Sequence, residues 1–152
     1  MKSTIRRAER ADMPNVFALI KELADYENEP DQVKTSVEEL IEDGYCENPL
    51  FKVVFAEVDG DIAGMVFYYF GYSTWKGKML YIEDIIVTDR FRRNGIGKQL
   101  FDFMRREARK ENAKQIRFHV LDWNEPAINF YKKNGVSLDG DWILCKLEDK
   151  DI

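Results

Sequence analysis

The run Arg92-Arg93-Asn94-Gly95-Ile96-Gly97-Lys98 lies between an apolar stretch and an amphipathic one, as a loop turning from a strand into a helix would. Glycines there let backbone approach a ligand, and the free N–H groups and positive dipole of a helix start favour anionic oxygens. The chemistry this spacing suits is capture of a pyrophosphate; the plainer alternative is a tight turn into a helix. Neither the GxGxxG spacing of a dinucleotide fold nor the GxxxxGK[ST] of a P-loop occurs. Just upstream, Glu83 and Asp84 interrupt the apolar run MLYIEDIIV. A carboxylate there can act as a base, anchor an ammonium or close an ion pair. The two-residue period of a strand sends Glu83 and Asp84 to opposite faces unless a bulge intervenes.

Other residue types narrow the chemistry. His119 is the sole histidine and falls in the strand-like QIRFHV, so a Cys/His zinc site is out of reach and any Ser-His or Cys-His scheme must run through it. Cys46 and Cys145 are far apart and in no paired motif, as expected of reduced thiols in a cytoplasmic protein. A net charge of -5, from 28 acidic and 23 basic residues, disfavours nucleic acid and mildly favours cationic small molecules. No apolar run approaches the ~20 residues of a membrane span, and MKSTIRRAER is unlike a signal peptide. No metal and no membrane partner is expected.

The elements that must position these groups follow from periodicity. The chain, 152 residues and 45% hydrophobic, shows no repeat or linker and reads as one α/β domain over 1–152. TIRRA is a short strand, and Asp12 should cap a helix carrying Val16, Phe17, Ile20, Leu23 and Ala24 on one face and ending near Tyr26. A second helix is expected over 37–43 with Ser36 as cap. FKVVFAEV and IAGMVFYYFGY read as a hairpin about Asp59-Gly60, and 79–87 as a more buried strand. The clearest amphipathic helix follows, with Ile96, Leu100, Phe103, Met104 and Ala108 inward and Lys98, Asp102, Arg105, Arg106 and Arg109 outward. Strand QIRFHVL, helix EPAINFYKKN closed by Gly135, and short strands at 136–139 and 142–146 complete the pattern. A hairpin followed by βα alternation predicts a mixed, mostly antiparallel sheet of about seven strands with helices on both faces.

The Arg-x-x-Gly-x-Gly loop resembles the central motif of the GNAT superfamily of acyl-CoA-dependent N-acetyltransferases. The likeness spans the chain: IRRAERAD is similar to the family's first strand and helix cap, and Asn124, Ala127, Tyr131 and Gly135 match its later N-x-x-A-x-x-x-Y-x-x-x-G pattern, with Val136 where a Phe is usual. KELADYE, YYFGYSTWKGKMLYIEDIIV and WNEPAINFYKKNG resemble the spermidine/spermine branch, which includes thialysine acetyltransferases.

The resemblance implies acetyl-CoA as co-substrate. The backbone of Ile85, Ile86 and Val87 would pair with the pantetheine arm as an added strand. The loop from Arg92 and Arg93 through Asn94, Gly95, Ile96 and Gly97 to Lys98 would hold the pyrophosphate, and Asn124 and Ala127 would contact CoA again. Glu83 corresponds to the general base acting through water, and Tyr131 to the proton donor at sulfur. On the amine side the resemblance implies Tyr26 and Glu27 at the end of the first helix, Trp75 as an aromatic wall, and Arg117, Phe118 and His119 as lining. Ser73 stands where the mammalian polyamine enzyme has an aspartate. A homodimer is implied as well.

Physical chemistry grades these roles. An alkylammonium of pKa about 10.4 must lose a proton before attacking a thioester, at a cost of about 4.6 kcal/mol at pH 7. Glu83 at an ordinary carboxylate pKa is too weak to take that proton directly, so a water relay fits better; anchoring the ammonium or a structural ion pair are the alternatives. A phenol near 10 is a weaker acid than a thiol near 8.5, so Tyr131 is best read as a hydrogen bond to a developing thiolate, or as core packing with Phe130. The acidic run Glu22, Asp25, Glu27, Glu29 and Asp31 would attract a polycation or simply be a solvated helix end. Trp75 and Trp123 fit aromatic walls or packing equally. The expected activity is acetyl transfer to a primary amine of a polyamine by direct attack. The alternatives are thialysine, lysine or another amino-acid-like amine, and a CoA-binding sensor without turnover.

Overall fold

A computed structural model describes residues 1–152. The chain divides into two compact units, 1–119 and 120–152. The first unit holds a five-stranded sheet in the order β1 (Thr4–Arg7), β2 (Lys52–Val58), β3 (Asp61–Ser73), β4 (Gly77–Val87), β5 (Gln115–Arg117). The first three pairings are antiparallel and β4–β5 is parallel, so the mixed, mostly antiparallel sheet expected from the pattern is present.

Strand alternation sorts the side chains onto two faces. Val53 and Phe55 of β2, Met65 of β3 and Ile86 of β4 form a core with Met13, Val16 and Leu19 of α1 (Met13–Tyr26) and Leu40 of α2 (Val37–Gly44). Val54, Val66 and Tyr68 alternate with these residues and are fully buried. On that opposite face lies α3 (Ile96–Lys110), whose Leu100 comes so close to Gly64 that a Cβ there would be 3.2 Å from it and 2.5 Å from the Ile86 carbonyl oxygen. Ser36 caps α2 as expected, its hydroxyl accepting the Glu39 N–H at 3.1 Å. Asp59 and Gly60 take positive φ (51° and 85°), the backbone a tight hairpin requires.

Several expectations are corrected. Asp12 precedes α1 but does not cap it: its carboxylate takes both Arg6 Nη atoms (2.7 and 3.1 Å) and the Glu9 N–H. Arg6 also donates to Glu57 at 2.7 Å, which ties β1, β2 and the start of α1 together. On α3, Phe101 rather than Phe103 is buried, and Glu107 is buried too because Arg7 reaches it at 3.2 Å. β5 stops at Arg117 instead of 121, since Phe118 turns edge-on to Phe101 of α3 and His119 engages the Tyr81 hydroxyl.

The second unit contains α4 (Glu125–Lys133), capped by Asn124 and closed by Gly135 at φ 79°. The strands expected at 136–139 and 142–146 do not form, so the sheet has five strands rather than about seven. A strand exists only as part of a ladder. Here Asp139 takes the Asp141 N–H and the Trp142 indole N–H, making a local turn, and Trp142, Ile143, Leu144 and Leu147 are exposed.

The Arg6–Asp12 contact lowers the Asp12 pKa below its usual 3.8, chiefly by the guanidinium hydrogen bonds. A depressed carboxylate stabilises the fold above its unfolded value and loses that contribution as pH falls through the folded value. Asp12→Asn is therefore expected to cost about 1–3 kcal/mol in urea unfolding at pH 7. The gap should shrink on acidification to about pH 3. An undiminished gap at low pH would contradict this account.

Candidate functional site

β4 carries the centre of the site, and its ladders explain why. On one side it pairs with β3 from Ser73↔Gly77 to Gly64↔Val87; on the other it meets β5 only at Met79, Leu80 and Tyr81. From Ile82 to Val87 no strand pairs with the outer edge of β4. Ile85, Ile86 and Val87 lie on this stretch, so backbone donors and acceptors there are available to an extended ligand. The Val87 carbonyl accepts the Arg92 Nε–H at 3.0 Å.

At the end of this edge the chain enters α3 through two left-handed residues, Arg93 (φ 62°) and Gly95 (φ 78°). No side chain caps the helix, and no backbone N–H from Arg93 through Asn94, Gly95, Ile96 and Gly97 to Lys98 finds an acceptor in the chain. A row of unsatisfied N–H groups at a helix start is suited to cradle an anion. The side chains have other work. Arg92 pairs with Asp89 at 2.6 Å and lies over the Tyr26 ring, while the Asn94 amide donates to the Phe91 and Arg92 carbonyls. Lys98 pairs with Asp102. The cradle expected from the sequence falls on the backbone of this loop, and that Arg92 braces the loop was not legible in the sequence.

A bulge decides the orientation of the two β4 carboxylates. Phe67 pairs with Asp84 and its neighbour Tyr68 with Ile82, so Glu83 is the extra residue. Tyr69 and Tyr81, opposite each other, stack at 5.1 Å, and the Tyr69 hydroxyl donates to Glu83 Oε2 at 3.4 Å. Asp84, opposite Phe67, lies on the same face as Tyr81, the face covered by α1. Glu83 and Asp84 thus share a face, against the strict two-residue alternation.

Glu27, just past α1, completes the group. Burial raises its pKa. Asp84 is pushed up to about 7, first by burial and then by the charges of Glu83 and Glu27. Burial and then the Glu83 charge push Tyr69 up to about 12 and also raise Tyr81. No salt bridge reaches Glu27, Glu83 or Asp84. This half-buried pocket of negative charge is therefore unbalanced within the chain, which is the electrostatic complement of a cation.

The remaining expected residues divide as follows. Arg117 ends β5 beside Tyr81 and donates to Gln115 at 2.9 Å, and His119 Nδ1 meets the Tyr81 hydroxyl, which puts His119 at the rim of the acidic cluster; Phe118 between them packs edge-on to Phe101 of α3, on the other face of the sheet. Tyr26 lies under Arg92. Ser73 is buried at the β3–β4 turn, its hydroxyl accepting the Trp75 and Lys76 N–H groups (3.3 and 3.1 Å), and Trp75 is 81% exposed at that turn. In the second unit, Asn124 accepts the Ala127 N–H at 3.4 Å and Tyr131 is buried, edge-on to Phe130. Tyr69 and Tyr81 were missed, although their cross-strand pairing was implicit in the FYYFGY and MLY alternations.

An open strand edge leading to an anion cradle, with a cation-seeking pocket on the same strand, defines a transferase that binds an acyl-CoA and an amine. The chain belongs to the acetyltransferase (GNAT) family, whose model matches residues 16–136, and is an acyl-CoA-dependent N-acetyltransferase. It is 41% identical over 139 residues to a thialysine N-epsilon-acetyltransferase of Bos taurus, covering 86% of this chain and 82% of that one. It is 34% identical over 158 residues to spermidine/spermine N(1)-acetyltransferase-like protein 1 of Homo sapiens, covering 97% of this chain and 23% of the relative. Among solved structures, an integron cassette protein from the mobile metagenome of V. cholerae shares the fold with a TM-score of 0.80 at 23% identity, over 99% of this chain and 95% of that one.

The raised pKa of Asp84 has a consequence for stability. Its proton is bound more tightly in the folded chain, so its favourable contribution is full below the ordinary value of 3.8 and is lost as pH rises towards about 7. Asp84→Asn is expected to raise the melting temperature at pH 8, with the gain vanishing near pH 4. Loss of stability at pH 8 would show that Asp84 is compensated in a way this geometry does not contain.

Proposed function

We propose that residues 1–152 form one acetyltransferase domain that moves acetyl from acetyl-CoA to a primary amine of a small polyamine by direct attack, without a covalent enzyme intermediate. The observation that carries this reading is the uncompensated negative charge of Glu27, Glu83 and Asp84, which suits a substrate bearing more than one ammonium. A second reading, acetylation of thialysine, lysine or another amino-acid-like amine, is favoured by the 41% identity to the bovine enzyme and by Ser73, which brings no charge to the β3–β4 turn. Arg117 would then meet the substrate carboxylate.

In this reading the open edge at Ile85, Ile86 and Val87 holds the pantetheine arm and the N–H groups of 93–98 hold the pyrophosphate, with Asn124 and Ala127 as further contacts. The co-substrate supplies the activated acetyl thioester. Glu83 offers its carboxylate to the reacting ammonium, and Tyr131 donates a hydrogen bond to the sulfur as negative charge develops there. Trp75, with Tyr26, Glu27 and His119, bounds the amine. The free, exposed Cys46 and Cys145 suit a reducing cytoplasm. A homodimer accounts for Trp142, Ile143, Leu144 and Leu147, apolar side chains exposed in a single chain.

The test is CoA release from acetyl-CoA with mass detection of product, against spermidine, spermine, putrescine, lysine, thialysine and a short lysine peptide. Turnover highest on spermidine or spermine supports the first reading and highest on thialysine or lysine the second. Acetyl-CoA binding with no amine turned over would overturn both in favour of a sensor. Glu83→Gln and Tyr131→Phe are each expected to lower kcat/KM by about 10²-fold or more. Wild-type values for both from pH 6 to 9 would remove these roles.

A further inference from the structure

The bulge in β4 gives the amine pocket two adjacent carboxylates on one face, and their surroundings differ. Glu83 is exposed and accepts a hydrogen bond from the Tyr69 hydroxyl at 3.4 Å. Asp84 is half-buried across from Phe67, with no hydrogen-bond donor and no cation in contact. The titratable and charged groups around it are Glu27 from the end of α1, Glu83 and Tyr81 on β4 and Tyr69 on β3. Beyond Tyr81 lie Arg117 and His119, and Arg92 lies over Tyr26.

Resting on the reading of the chain as an amine acetyltransferase, we propose that Asp84 takes the proton from the substrate ammonium, while Glu83 and Glu27 hold the amine by charge. The step is R–NH3+ plus Asp84–COO− giving R–NH2 plus Asp84–COOH. The nitrogen lone pair then forms the N–C bond to the acetyl carbon. The C–S bond breaks with its electron pair going to sulfur, one nitrogen proton is passed to that sulfur, and Asp84 returns its proton to water. Burial and two neighbouring negative charges favour the protonated form of Asp84, and the substrate's positive charge balances the cluster until transfer. A carboxylate at about 7 accepts a proton from a given ammonium ~500-fold more favourably than an ordinary glutamate at about 4.3. Transfer to Asp84 stays uphill from an alkylammonium at about 10.4, but by less than transfer to an ordinary carboxylate.

The test combines two measurements on the full chain. Carboxyl NMR of aspartate-labelled protein, with Asp84→Asn identifying the signal, should give a titration midpoint near 7 for Asp84, moving lower in Glu83→Gln and in Glu27→Gln. The pH profile of kcat/KM on the best amine should show an acidic limb at that midpoint. The limb should shift to lower pH in Glu83→Gln and disappear in Asp84→Asn, with a loss of about 10²-fold or more and partial recovery in Asp84→Glu. A midpoint near 4, or a neutral limb that survives in Asp84→Asn, would overturn the assignment while leaving the acetyltransferase reading intact. Absence of turnover on every amine by the wild-type chain would overturn both.

Discussion

The parallel ladder between β4 and β5 ends at Tyr81 and Arg117, while β4 itself runs on to Val87. Everything at the site depends on that early end. Backbone polar groups away from water need partners, so an unpartnered edge inside a sheet persists only where something else will occupy it. Here the edge runs into a helix start whose N–H groups from 93 to 98 are likewise unsatisfied. Only residues 88–92 separate the two features, and the Arg92 Nε–H on the Val87 carbonyl joins them, which makes a single extended ligand with an anionic end the simplest common partner. The contacts that keep the edge open are ordinary packing: Phe118 against Phe101 and His119 against Tyr81 turn the chain away from β4.

The same strand carries a second departure from regularity. By bulging at Glu83 it turns two neighbouring carboxylates to one face, where Glu27 adds a third and no salt bridge reaches any of them. Elsewhere the chain pairs its partly buried charges, Arg6 with Asp12 and Glu57, Arg7 with Glu107. The contrast locates function. A fold that balances its structural charges but leaves one pocket negative keeps a cost in stability there, which a bound cation would relieve.

Much of this was legible in the residues. The hairpin at Asp59-Gly60, the α2 cap at Ser36, the amphipathic α3 and the glycine loop all rest on local spacing, and local spacing survives in the folded chain. What failed depended on side-chain partners in other elements. Asp12 was drawn from its capping role by Arg6 of β1, and Glu107 was buried against an arginine a hundred residues away. The segments at 136–139 and 142–146 alternate like strands but have no ladder to join. For the site, the anion cradle and Glu83 were visible in the sequence, whereas the shared face of Glu83 and Asp84 was not, because a bulge is a property of a pair of strands.

The central claim, that the outer edge of β4 and the start of α3 together bind one extended anionic co-substrate, is tested most directly by amide hydrogen exchange with and without acetyl-CoA. The account predicts slowed exchange in 85–87 and 93–98 together, at the same ligand concentration, with little change in β1 and β2. Protection at the helix start alone, or in neither segment, would contradict it.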